Sequence, residues 1–167
     1  MLAPAIVRAL KHPPFEAAAF TPTQGDSAED KARFGTTFVR FLLGDCAEIL
    51  FTRRFYGRLH TCFGFIAEYD RPTFYATHFS TSAAKVRFLR QVLEWPCYGS
   101  PAWTCCDVER AIIARVRASG ILRHHEAEDR REVEAIERAL LVRLQEKYEP
   151  LPPPSRVPSR DLFDAAG

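Results

Sequence analysis

The sequence predicts an α+β domain, a mixed or antiparallel sheet packed by C-terminal helices. Three observations carry that expectation. Over residues 36–79 the apolar side chains largely alternate with polar ones in a stretch rich in Phe, Tyr, Thr and Ile. From Ser80 to Tyr148 they instead recur every three or four residues, the helical period. Strand-like segments thus precede helix-like ones rather than alternating with them, which argues against a parallel βαβ fold. With 167 residues, 47% of them hydrophobic and 13 Phe, the chain has enough apolar mass for one core without covalent staples.

In order, residues 2–10 predict a short helix that stops before Pro13-Pro14, which cannot continue one. Thr21-Pro22-Thr23-Gln24-Gly25-Asp26-Ser27 reads as loop; Ser27 with Asp30 caps a short helix through Phe34, ended by Gly35. Gly44-Asp45 supplies a turn into a strand with Ala47, Ile49, Phe51 and Phe55 on one face and Glu48, Thr52 and Arg54 on the other. A second strand places Leu59, Thr61, Phe63, Phe65 and Ala67 opposite Arg58, His60 and Glu68, and turn residues 68–72 lead to a third strand over residues 73–79. One hydroxyl of Ser80-Thr81-Ser82 caps the next helix, with Val86, Leu89, Val92 and Leu93 as its apolar stripe and Pro96 at its end. Thr104 and Asp107 open a helix closed by Ser119-Gly120. A last helix over residues 127–148 buries Val133, Ile136, Leu140, Leu141 and Leu144 and exposes mixed charges. The division is a domain over residues 1–149 and an extended tail over residues 150–167 opening on Leu151-Pro152-Pro153-Pro154, which either docks on a partner or hangs in solvent.

The net charge of +2 is unevenly spread. Residues 47–90 hold seven Arg or Lys against three acidic residues, whereas residues 123–149 hold six against eight, so the basic half and not the last helix suits nucleic acid. The five cysteines are odd in number and fit no disulfide framework, and the N-terminus lacks a secretory pattern, so we read reduced thiols in a cytoplasmic protein. No apolar run approaches the roughly 18 residues of a membrane span.

Two groups of residues suit phosphate. Arg53, Arg54 and Arg58, interleaved with Phe55, Tyr56 and His60, can hold nucleic-acid phosphates while aromatic rings stack on bases; the alternative is a charged row that protects a sheet edge. Ser80, Thr81 and Ser82, with Lys85 and Arg87 nearby, offer hydroxyls and helix-start N–H groups to a nucleotide phosphate; the alternative is an ordinary N-cap. Cys97, Cys105, Cys106, His124 and His125 have ligand atoms but not the spacing of a zinc knuckle, and Glu126, Glu128 and Asp129 read as a charged helix start, so no metal is expected. No Gly-x-x-x-x-Gly-Lys-Ser/Thr loop, Gly-x-Ser-x-Gly elbow or Gly-x-Gly-x-x-Gly turn is present, and the catalytic residues stay unknown.

The order of short N-terminal segment, basic aromatic meander, Ser80-Thr81-Ser82 helix entry and charged terminal helix, with the stretches Phe38-Val39-Arg40-Phe41 and Thr73-Phe74-Tyr75-Ala76-Thr77-His78-Phe79, resembles the plasmid fertility-inhibition (oncogenic-suppression) family over residues 15–148. The resemblance implies a ParB/sulfiredoxin-like fold, a block on T-DNA or conjugative DNA transfer through a type IV secretion system, and ATP- and Mg²⁺-dependent ATPase and DNase activity. The chain departs from that fold's known motifs: it has no Gly-Cys-His-Arg, and Gly120-Ile121-Leu122-Arg123 lacks the alanine of Gly-x-x-Arg-x-x-Ala. No catalytic residue carries over. The expected partners are DNA or a nucleoprotein and a secretion-system component. The alternatives are a noncatalytic protein-interaction module and a DNA-binding regulator that uses the helix between Thr104 and Gly120.

Overall fold

In the computed structural model, which describes residues 2–64 and 70–148, there is no strand among the described residues. The expected α+β fold with its sheet, and with it the ParB/sulfiredoxin-like arrangement, is corrected to an all-helical one. The helices are α1 (Pro4–Lys11), α2 (Ala28–Leu43), α3 (Arg53–Phe63), α4 (Arg71–Phe79), α5 (Ser82–Glu94), α6 (Cys106–Ser119) and α7 (Ile121–Tyr148). The chain divides into two compact units, residues 1–132 and 133–167.

The segment read as three strands forms α3, α4 and a single 3-10 turn at Glu48–Leu50. Its apolar residues satisfy both periods, and end capping decides between them. The Thr52 side chain accepts a hydrogen bond from Phe55 N and the Asp70 side chain one from Thr73 N, so each helix start has its orphan donor satisfied locally. Phe55, Leu59, Cys62 and Phe63 then share the buried face of α3 at helical spacing. Gly64 closes α3 in the left-handed conformation (φ 55°), with no room for a Cβ against the Trp95 ring. The strand reading through Phe65 and Ala67 ends outside the described residues, as does the tail over residues 150–167.

Gly35 does not end a helix. It lies inside α2, where an added Cβ would sit 2.5 Å from the Phe15 ring, so glycine here permits close approach of the N-terminal segment. Ser27 caps α2 as expected, accepting from Asp30 N. Phe34, Phe38, Phe41 and Leu42 bury the inner face of α2, which packs against α1, α3 and α6, while α5 packs against α4 and α6. The core of the first unit is an aromatic cluster: Phe38, Phe41, Phe51, Phe63 and Phe88 have no solvent exposure, and Phe41 meets Phe79 edge-to-face at 4.8 Å between ring centres.

Lys31 is fully buried among these helices. Its Nζ donates to Pro101 O at 2.9 Å, Thr104 O at 3.0 Å and Asp107 Oδ1 at 2.9 Å, tying α2 to the loop before α6 and to the first turn of α6. Asp107 also accepts from Thr21 N at 2.9 Å, so one carboxylate joins three segments.

Gly120, left-handed at φ 71°, ends α6 as expected, but α7 begins immediately after it. Ile121 and His125 in the first turns of α7 are buried. Val133, Ile136, Leu140, Leu141 and Leu144, read from the sequence as a buried stripe, are instead exposed. In the second unit Arg138 pairs with Glu134 one turn earlier at 3.2 Å.

Candidate functional site

Helical geometry gathers arginines that lie far apart in sequence. On α2, Arg33, Thr37 and Arg40 follow one another at four- and three-residue spacing; on α3, Arg54 and Arg58 are one turn apart. The two rows line a cleft of about 320 Å³ together with Asp26, Asp30, Phe34, Thr52 and Phe55. Four arginines against two aspartates leave the cleft positive.

The aspartates order the arginines without neutralising them. Asp30 lies 3.1 Å from Arg33 Nη1 and 3.5 Å from Arg54 Nη2, and its carboxyl is held below the usual range by the Ser27 hydroxyl and, less strongly, by these two arginines. Asp26 pairs with Arg58 Nη1, and Arg58 packs over the Phe34 ring, 5.7 Å from its centre. Arg40 has no ion-pair partner among the described residues. Nε and Nη2 of Arg58 are buried with no hydrogen-bond partner among the described residues, which is rare for guanidinium donors. Arg53 is exposed in the first turn of α3, where no acidic residue offsets the positive end of the helix.

Of the three arginines singled out in the sequence, Arg54 and Arg58 therefore meet in the cleft and Arg53 stands outside its lining. They sit on a helix, not on the expected strand and turn. Sequence reasoning missed Arg33 and Arg40. Their spacing would have shown them, had residues 28–43 been read as one helix.

The junction at Ser80–Arg87 is differently occupied. Ser80 Oγ donates to Ala76 O, Thr81 Oγ1 accepts from Ala84 N as the N-cap of α5, and Ser82 Oγ donates to Glu132 at 2.7 Å. Lys85 Nζ lies 2.8 Å from Asp45 Oδ1. Ser80, Thr81, Ser82 and Lys85 are committed to contacts within the protein, and only Arg87 of the predicted set is exposed without an ion-pair partner among the described residues, so the junction does not fit the phosphates of ATP.

Next to that ion pair, Asp45, His125 and Glu128 each bring a ligand-type atom within 4.8 Å of the others, a grouping unrecognised in the sequence because Asp45 comes from the turn after α2. Asp45 already has the Lys85 ammonium as its counter-charge, and Glu128 lies 3.1 Å from His124 Nε2 and 3.2 Å from His125 Nδ1. Despite the second distance, neither ring nitrogen of His125 has a hydrogen-bond partner among the described residues. Burial pushes the His125 pKa below its ordinary 6.5, against the opposing pull of Asp45 and Glu128 and with help from Lys85 and His124. The unfolded chain takes up a proton on this imidazole more readily than the folded one, so stability falls as pH drops below about 6.5. We expect His125→Leu to show a shallower loss of melting temperature than the wild type between pH 7 and pH 5, roughly the span over which imidazole titrates. Parallel melting curves in the two proteins would contradict it.

A second cleft, about 560 Å³, is lined by residues 23–26, Thr61, Trp95, Pro96, Tyr98, Trp103, Thr104, Cys105 and Glu109. Burial raises the Glu109 carboxyl, while hydrogen bonds with Cys97 and Trp95 oppose the rise.

No family model matches the chain, and no match was found among curated proteins or among solved structures. No helix among the described residues is long and apolar enough to cross a membrane.

Proposed function

We propose that the protein binds nucleic-acid phosphates in the cleft between α2 and α3. The observation that carries this is the convergence of Arg33, Arg40, Arg54 and Arg58 on one cleft, against only two aspartates. An anionic oxygen is the natural partner of the exposed Arg33, Arg40 and Arg54 side chains, and planar guanidinium groups recognise phosphate with two parallel hydrogen bonds. The helix start beside the cleft adds partial positive charge. This binding would serve to hold DNA or a nucleoprotein back from a type IV secretion system in the cytoplasm, the role implied by the fertility-inhibition resemblance. That finer role is supported by the resemblance and the positive cleft, and not by the fold.

The test is an amide and guanidinium NMR titration with a short single-stranded oligonucleotide. The Nε–H signals of Arg33, Arg40, Arg54 and Arg58 and the backbone amide of Arg54 are expected to move together, while those of residues 82–87 stay in place. Shifts confined to α5 or α7 would overturn the assignment.

A second reading, a noncatalytic protein-interaction module, draws on the exposed Ile136, Leu140 and Leu141 of α7. It predicts no nucleic-acid shifts at all in the α2–α3 cleft.

A further inference from the structure

Where the turn after α2 meets the first turns of α7, Asp45, His125 and Glu128 each bring one ligand-type atom within 4.8 Å of the other two. His125 is 1% exposed, and both of its ring nitrogens are buried with no hydrogen-bond partner among the described residues, an uncommon state for a core imidazole. From this geometry we propose that Asp45, His125 and Glu128 hold a divalent transition-metal ion of the zinc type. The group shares no residue with the lining of the α2–α3 cleft, so the inference is independent of phosphate binding there.

Local structure sets the three side chains in place. Asp45 has a left-handed backbone (φ 54°), a conformation that Asp and Asn adopt more readily than most residues. Its amide donates to Leu42 O at 3.1 Å and that of Cys46 to Phe41 O at 3.0 Å, which folds the turn back onto the end of α2. His125 and Glu128 are three residues apart on α7 and share one helix face. Oε2 of Glu128 stands 3.2 Å from His125 Nδ1, while its other oxygen, Oε1, faces a second imidazole, 3.1 Å from His124 Nε2.

The separation of 3.2 Å suits two atoms that share one small cation. Zinc lies about 2.0–2.2 Å from imidazole nitrogen and carboxylate oxygen, so two of its tetrahedral ligands stand roughly 3.3–3.6 Å apart. An ion between them accounts for a close approach that makes no hydrogen bond.

Charge and ligand type select the ion. Two carboxylates match a dication, and an imidazole nitrogen suits zinc, cobalt, nickel or copper, whereas magnesium and calcium favour oxygen. Lys85 is the competing cation, its Nζ donating to Asp45 Oδ1 at 2.8 Å. That leaves Asp45 Oδ2 for the metal, on a side chain 67% exposed, which gives the ion a route from solvent. Three protein ligands leave a fourth position for water. The bound ion would join the turn after α2 to the start of α7.

The experiment titrates zinc chloride into the reduced, chelator-stripped full-length protein by calorimetry and follows the melting temperature, with magnesium chloride in parallel. One equivalent of zinc is expected to bind and to raise the melting temperature, and magnesium to do neither. Asp45→Asn, which tolerates the same left-handed turn, and Glu128→Gln are each expected to weaken zinc binding at least about tenfold, since even the groups behind a metal ligand are worth ten- to hundredfold. Cobalt(II) in place of zinc is expected to show the visible bands of nitrogen and oxygen ligands without the thiolate-to-cobalt charge-transfer band, which separates this site from binding by the five cysteines. A thiolate band, magnesium binding as tight as zinc, zinc affinity unchanged in the two variants, or a wild type that takes up no zinc overturns the proposal. Either variant decides if the other fails to fold.

Discussion

Replacing Lys31 by Ala is expected to cost about 3–5 kcal/mol of unfolding free energy, the range for removing one partner of a buried ion pair. The ammonium has no exposed surface and supplies donors to two carbonyls and the Asp107 carboxylate. Its loss leaves Asp107, whose side chain is 13% exposed, with backbone donors only, from Thr21 and Val108. Lys31→Met keeps most of the packed volume while removing the charge, so a similar loss in both variants assigns the effect to the charge and not to a cavity. Urea unfolding followed by far-UV circular dichroism measures both, and a loss under about 1 kcal/mol, typical of exposed pairs, would contradict the assigned role. Because Lys31 holds the start of α2 against the start of α6, Lys31→Ala should also disorder Arg33 and Cys105, one residue set in each cleft.

Particular residues show how far the sequence could be read. Ser27, Gly120 and a cap within Ser80-Thr81-Ser82, which is Thr81 in the structure, were legible because capping is a local interaction between a side chain or glycine and its own helix end. The stretch from Ala47 to Phe79 was not, because Phe51, Phe55, Leu59, Phe63, Phe74 and Phe79 fit an alternating pattern as easily as a helical one. Aromatic residues favour strands when half-buried on a sheet. Here Thr52 and Asp70 cap helices, and thirteen phenylalanines in the chain permit an aromatic core between helices. Gly35 was misread as a stop because its reason for being glycine, the Phe15 ring, lies twenty residues away. Of the cleft, Arg54 and Arg58 were visible as charges. Arg33 and Arg40 were hidden because the helix was stopped at Gly35, and the approach of their row to Arg54 and Arg58 is tertiary, with no sequence spacing between α2 and α3 to show it.

The largest functional effect is expected from the double variant Arg40→Ala/Arg54→Ala. Arg40 has no ion-pair partner among the described residues and Arg54 is 72% exposed, so their removal should leave the core and the melting temperature nearly unchanged. Each charge-assisted hydrogen bond lost to a phosphate is worth roughly 1.5–3 kcal/mol, so affinity for an oligonucleotide should fall about a hundredfold or more at low salt. Arg90, which pairs with Glu126 at 2.8 Å away from the cleft, provides the control: Arg90→Ala should bind as the wild type does.

The most direct measurement is fluorescence anisotropy of a labelled duplex across a salt series, with wild type, Arg90→Ala and the double variant compared. The phosphate-binding account predicts a linear fall of log affinity with log salt in the wild type and in Arg90→Ala, and a slope shallower by about 1.8 in the double variant, near 0.9 for each lost phosphate contact. An identical slope in all three proteins, or no binding by the wild type at low salt, would contradict it.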